Sequence, residues 1–154
     1  MPPSTFLLLL SLSLSFPVVQ LITNFEFAGV ITCTLKRNFT YMLQVIEEDT
    51  GPGTDDVISE SVLRMNMTSP VSYHIKAQDK GDGPWNNYYE IAFLINHDCS
   101  MEDNPRHMVL KHKVLDFWIF DGTHKHNVSL DITAKGYFAF LPWPKESAGP
   151  AEQH

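Results

Sequence analysis

Two cysteines, Cys33 and Cys99, are all that this chain of 154 residues contains, and no Cys-x-x-Cys spacing is present. That excludes a cysteine-dense scaffold and the usual dithiol and zinc-ribbon patterns. Positive charge is also scarce, with 11 Lys and Arg against 18 Asp and Glu and a formal charge of −7. Net repulsion of a polyanion sets nucleic acid aside as a partner. Lys111, Lys113 and Lys125, with histidines nearby, are where a local basic patch would form. A Gly-x-Ser-x-Gly elbow and a His-Glu-x-x-His helix are both missing, and no motif asks for a cofactor.

Charge is wholly absent before Glu26, and Phe6 to Phe16 is a run of Leu, Phe and Ser with the length of a signal-peptide core. Ser11, Ser13, Ser15, Pro17 and Gln20 interrupt it, whereas a membrane span needs about 20 mostly apolar residues. Residues 1–20 are therefore read as a signal peptide cut between Ser15 and Asn24, rather than as an anchor. Export to the extracellular region or cell surface then gives the cysteines a meaning. Cys33 and Cys99 read as one disulfide, with a thiol at Cys99 activated by His97 as the competing reading. It also gives a meaning to the N-x-[ST] triplets at Asn38, Asn66 and Asn127, which require surface positions to carry glycans.

Apolar residues recur with a period near two. Val71, Tyr73, Ile75 and Ala77 alternate with polar residues, as do Val128, Leu130, Ile132 and Ala134. Gly29 to Leu35, Tyr41 to Ile46, Val57 to Leu63, Met108 to Leu115 and Phe117 to Phe120 read as further strands, and Tyr88 to Ile95 as a strand covered on both faces. Asp55 to Met65 also fits helical spacing, but the strand is preferred. Turn clusters separate these runs at Gly51 to Gly53, Asn66 to Pro70, Gln78 to Trp85, Asp103 to Pro105 and Asp121 to Thr123. The fold class predicted is all-β, a small antiparallel sandwich or open barrel of seven to eight strands over residues 25–141, with 142–154 as a tail.

Three side-chain groups qualify as candidate sites. Glu47, Asp49, Asp55 and Asp56 crowd an acidic loop that lacks the register of an EF-hand, so a solvated turn competes with weak calcium binding. His124 and His126, with His107 and His112 upstream, raise zinc or copper binding against a solvated hairpin tip. Trp85, Tyr88, Tyr89, Phe117, Trp118, Phe120, Tyr137, Phe138, Phe140 and Trp143 serve either the core or an exposed patch for a lipophilic ligand or a protein. The loops Asn86 to Tyr88 and Met101 to Arg106 are placed to touch such a partner.

The stretch VIEEDTGPGTDDVISES, Val45 to Ser61, preceded by GVITC and followed by INHDC at Ile95 to Cys99, resembles the nematode transthyretin-like family. The resemblance covers about Gly29 to Lys135 and implies a secreted β-sandwich related in fold to transthyretin. This chain has Leu35-Lys36-Arg37-Asn38 where the family has Gly-Lys-Pro, and two cysteines where four are common. A divergent member is implied, acting as a non-catalytic extracellular binding or bridging module for a protein or lipophilic ligand. The alternative is a hydrolase of the related 5-hydroxyisourate type, whose C-terminal Tyr-Arg-Gly-Ser is absent here, the chain ending KESAGPAEQH.

Overall fold

The computed structural model describes residues 22–35, 38–49, 53–80, 88–101, 107–118 and 122–139. Both the signal-peptide segment and the tail lie outside these residues. Two β-sheets form a sandwich and, among the described residues, there is no helix. The described residues hold ten strands: β1 Thr23–Thr32, β2 Phe39–Glu47, β3 Asp56–Val57, β4 Val62–Met67, β5 Val71–Asp79, β6 Tyr88–His97, β7 Met108–Trp118, β8 Gly122–Asn127, β9 Leu130–Asp131 and β10 Tyr137–Phe138. Three of them are two residues long; the seven longer ones fall within the predicted seven to eight, with β8 starting where a turn is expected.

The first sheet runs β5-β1-β8, with β9 also on β1, and the second runs β10-β7-β6-β2-β3, with β4 also on β2. The second is antiparallel throughout. In the first, β5 is antiparallel to β1, while β8 and β9 run parallel to it. The parallel pairing arises because the chain crosses from β7 in one sheet to β8 in the other instead of turning back as a hairpin.

Period two explains which side chains enter the core. In β1 Phe25, Phe27 and Ile31 are fully buried, and in β5 every second residue from Val71 to Ala77 is buried while its neighbours are exposed. β6 contributes Tyr89, Ile91, Phe93 and Ile95, and β2 contributes Phe39, Tyr41, Leu43 and Val45. The aromatics meet edge to face across the sandwich, Phe27 on Phe93 at 5.1 Å and Phe25 on Tyr89 at 5.3 Å. Each such side chain contributes roughly 1.5–3 kcal/mol through removal from water.

Four local expectations are corrected. Val57 to Leu63 is not one strand, because Ile58 and Ser59 lie between the sheets: Ile58 N–H donates to Val45 O at 3.0 Å, while Gln78 N–H donates to Ile58 O at 3.0 Å. Asn66 and Met67 belong to β4 rather than to a turn, with Asn66 in the left-handed region at φ 55° beside a bulge in the β2–β4 register. Met108 to Trp118 is continuous, with Val114 as an extra residue between the pairs Ile91–Leu115 and Ala92–Lys113. Val128 to Ala134 keeps only Leu130–Asp131 as strand, while residues 128 and 129 continue along the same edge of β1, in unbroken register between Ala28–Asn127 and Ile31–Leu130.

The close approach of Val128 to β1 requires Gly29. A Cβ there would sit 2.0 Å from Val128 O and 2.7 Å from its carbonyl carbon. Val128 is held in place by its N–H donating to Ala28 O at 2.8 Å and by the Tyr73 hydroxyl donating to its carbonyl. Gly29→Ala is expected to destabilise the fold by about 1–3 kcal/mol, as overpacking against backbone does. A thermal melt lowered by several degrees checks this, and an unchanged midpoint would contradict it.

Candidate functional site

The cysteines are bonded to each other. Cys33, just after β1, and Cys99, two residues after β6, form a disulfide with Cα atoms 6.0 Å apart, tying the two sheets at one end. There is thus no thiol for His97 to activate. His97 is fully buried with its Nε2 3.0 Å from Lys135 O, and burial pushes its pKa down to about 4, against a smaller opposing effect of that carbonyl.

The acidic stretch is dispersed by the fold. Glu47 ends β2 buried, its carboxylate accepting from Glu90 N–H at 3.2 Å. Asp56 lies in β3, while Glu48 and Asp55 both pair with Lys111, the latter at 2.8 Å. Among the described residues no three His, Cys, Asp or Glu side chains converge as a metal site. The remaining lysines are matched too, Lys113 with Asp116 at 2.9 Å and Lys125 with Glu26 at 2.8 Å, so no basic patch forms from the three. Such exposed pairs are screened by water and contribute little to stability.

His124 and His126 are not at a hairpin tip. They occupy β8, in register with Phe25 and Phe27 of β1, and their rings lie on those phenyl rings at 5.5 and 6.2 Å. Burial, then the neighbouring His126, lowers the pKa of His124. His107 and His112 belong to the other sheet, in or beside β7. The apolar face offered by Phe25 and Phe27 accounts for the position of the β8 histidines without a metal.

The aromatics divide between interior and surface. Tyr89 is in the core, whereas Tyr88 and Trp118 are cross-strand partners in β6 and β7, with ring centroids 4.0 Å apart and exposures of 38% and 61%. Lys113, Glu90 and Asp116 form a charged cluster beside them. Tyr137 is exposed and Phe138 half-buried in β10. Trp85, Phe120, Phe140 and Trp143 lie outside the described residues, as do Asn86, Asn87 and 102–106; Met101 is exposed. A second surface feature is an open groove of about 1050 Å³ beside the β5 edge, lined by Val57, Ile58, Glu60, His74 and Lys76.

All three sequon asparagines are exposed. The sequence flags Tyr88, Trp118, Asn38 and Asn66 singly; that Tyr88 meets Trp118 and Asn38 meets Asn66 depends on register, which no local pattern carries. His97 as a buried neutral imidazole had one local signal, its place at the end of the period-two run from Tyr89.

No family model and no curated protein matches the chain. Among solved structures, an alternative pilotin from the type II secretion system of Vibrio cholerae is similar over 71% of this chain and 96% of that one, at 14% identity and a TM-score of 0.38, too distant to carry an argument.

Proposed function

We infer that this chain is an exported, disulfide-bonded glycoprotein that works as a non-catalytic binding module, docking an extracellular protein through the Tyr88–Trp118 end of its larger sheet. The observation that carries the reading is the ring pair itself. Two large aromatic rings on adjacent strands stand at the surface beside a charged cluster. Aromatic anchors within a polar rim are what protein interfaces concentrate.

A protein is preferred to a lipophilic ligand because the space between the sheets is filled by Phe25, Phe27, Phe39 and Phe93, all at most 1% exposed. The non-catalytic part is supported by how the reactive side chains are engaged. The cysteines are bonded, His97 is enclosed and neutral, and Lys111 is held by two carboxylates. Export is supported by the disulfide, which persists in oxidising compartments. A signal-peptide cut that spares β1 falls before Thr23. Divergent membership of the nematode transthyretin-like family is part of the same proposal and rests on the quoted motifs; a β-sandwich with Cys33 joined to Cys99 is compatible with it.

The mature protein, immobilised and exposed to extracellular fluid and cell-surface extract, should retain one stoichiometric protein. Tyr88→Ala with Trp118→Ala should weaken that capture about 30-fold or more, as loss of an aromatic hot spot of about 2 kcal/mol does. Equal capture by a double variant that melts like the parent, or recovery of a small molecule alone, would refute the assignment.

A further inference from the structure

Two sequons far apart in sequence interlock. Asn38 Nδ2 donates to Asn66 Oδ1 at 2.9 Å. The Thr68 hydroxyl, which completes the Asn66 sequon, donates to Asn38 Oδ1 at 2.8 Å. Asn66 N–H in turn donates to the hydroxyl of Thr40, which completes the Asn38 sequon, at 3.3 Å. A cleft of about 450 Å³ lined by Cys33, Leu35, Asn38 and Thr68 opens beside the pair.

The third sequon lies midway along the edge of the smaller sheet. Asn127 is the last residue of β8 and is paired with Ala28, in the middle of β1 between Phe25, which packs on Tyr89, and Cys33. Asn38 precedes β2 directly, and the β2 residue Tyr41 pairs with His97 at the Cys99 end of β6. Tyr88 starts β6, so at ~3.4 Å per residue about 30 Å of strand separates it from His97.

We propose that Asn38 and Asn66 form a carbohydrate pole in which two N-linked oligosaccharides gather on the disulfide end, that Asn127 is a third attachment point midway along the smaller sheet, and that the Tyr88–Trp118 end of the larger sheet is left uncovered. The inference rests on the export reading above. In each transfer the amide Nδ2 attacks the anomeric carbon of an oligosaccharide carried on a polyprenyl diphosphate. The Nδ2–C1 bond forms as the C1–O bond breaks, the diphosphate leaves with the electron pair, and the Nδ2 proton passes to a base of the transferase. The folded geometry accommodates the products. Asn38 commits one Nδ2 hydrogen to Asn66 and keeps the other position for sugar, while Asn66 enters the pair through its carbonyl oxygen and keeps its amide nitrogen for the second.

The test expresses the full chain in a eukaryotic secretory host, removes N-linked sugar with an amidase in heavy-oxygen water, and maps the resulting labelled Asp by peptide mass spectrometry. Label at residues 38, 66 and 127 is expected. Absence of label at any one of the three overturns the proposal, as does recovery of only unglycosylated chain. Partner capture is read separately. The combined variant Asn38→Gln, Asn66→Gln and Asn127→Gln should capture within about twofold of the parent. Loss of capture by a triple variant that melts like the parent would show that the sugar-bearing end is also the contact, against the proposal. Labelled protein that captures nothing defeats the binding reading alone, and unlabelled protein that captures its partner through Tyr88 and Trp118 defeats this inference alone.

Discussion

Replacing Cys33 or Cys99 by serine is expected to cost about 2–5 kcal/mol, the range typical of losing a native bridge in a small exported domain. The bridge spans 66 residues, and the chain-entropy estimate for a loop of that size is about 4 kcal/mol. Its position adds a second reason. Cys33 and Cys99 are 2% and 0% exposed, so serine would place a hydroxyl in the apolar junction where β1 of one sheet meets the end of β6 of the other. Such a buried polar group needs a partner or costs further. Denaturant unfolding of both single variants and the double variant should give nearly equal losses, because one bond is removed in each case. Mapping under non-reducing conditions should recover Cys33 joined to Cys99 within one chain. An unchanged midpoint in the variants, or a dimer joined through either cysteine, would contradict the assignment.

Acidification from pH 6.5 to about 4 should remove roughly 3 kcal/mol through His97 alone. The folded imidazole has its pKa pushed from 6.5 down to about 4 by burial, so between those values the unfolded chain binds the proton and the folded chain does not. The contribution is therefore fully present above pH 6.5 and is lost as pH falls through the folded value. A shift of this size corresponds to roughly 3 kcal/mol at 1.36 kcal/mol per unit. The physical cause is enclosure: His97 is fully buried, and the contact of its Nε2 with Lys135 O opposes the shift only in part. His97→Gln should lower stability at neutral pH yet flatten the dependence between pH 6.5 and 4. Denaturant midpoints across that window provide the measurement. Equal pH dependence in parent and variant would remove His97 as the cause.

The parts legible in the sequence are those in which neighbours along the chain decide the outcome. Alternation from Val71 to Ala77 marks a strand with one buried face, and it is β5. The apolar run from Tyr88 marks a strand covered on both sides, and β6 is central in the larger sheet. Polar β8, by contrast, carries no alternation of apolar residues. It is a strand because β1 offers it backbone partners and because Phe25 and Phe27 offer surfaces to its histidines.

What the sequence by itself determined is therefore the all-β class and the inward faces of the long strands, since period two is a local property of an extended chain. The tertiary structure decided the rest: the parallel course of β8, the division of Asp56 to Met67 between two strands, the dispersal of the acidic loop onto Lys111, and the meetings of Tyr88 with Trp118 and Asn38 with Asn66. Each of these joins residues well separated in the chain. Their contact is set by strand register and by which sheet a crossing segment enters, and those are fixed by packing of the shared core rather than by any local pattern.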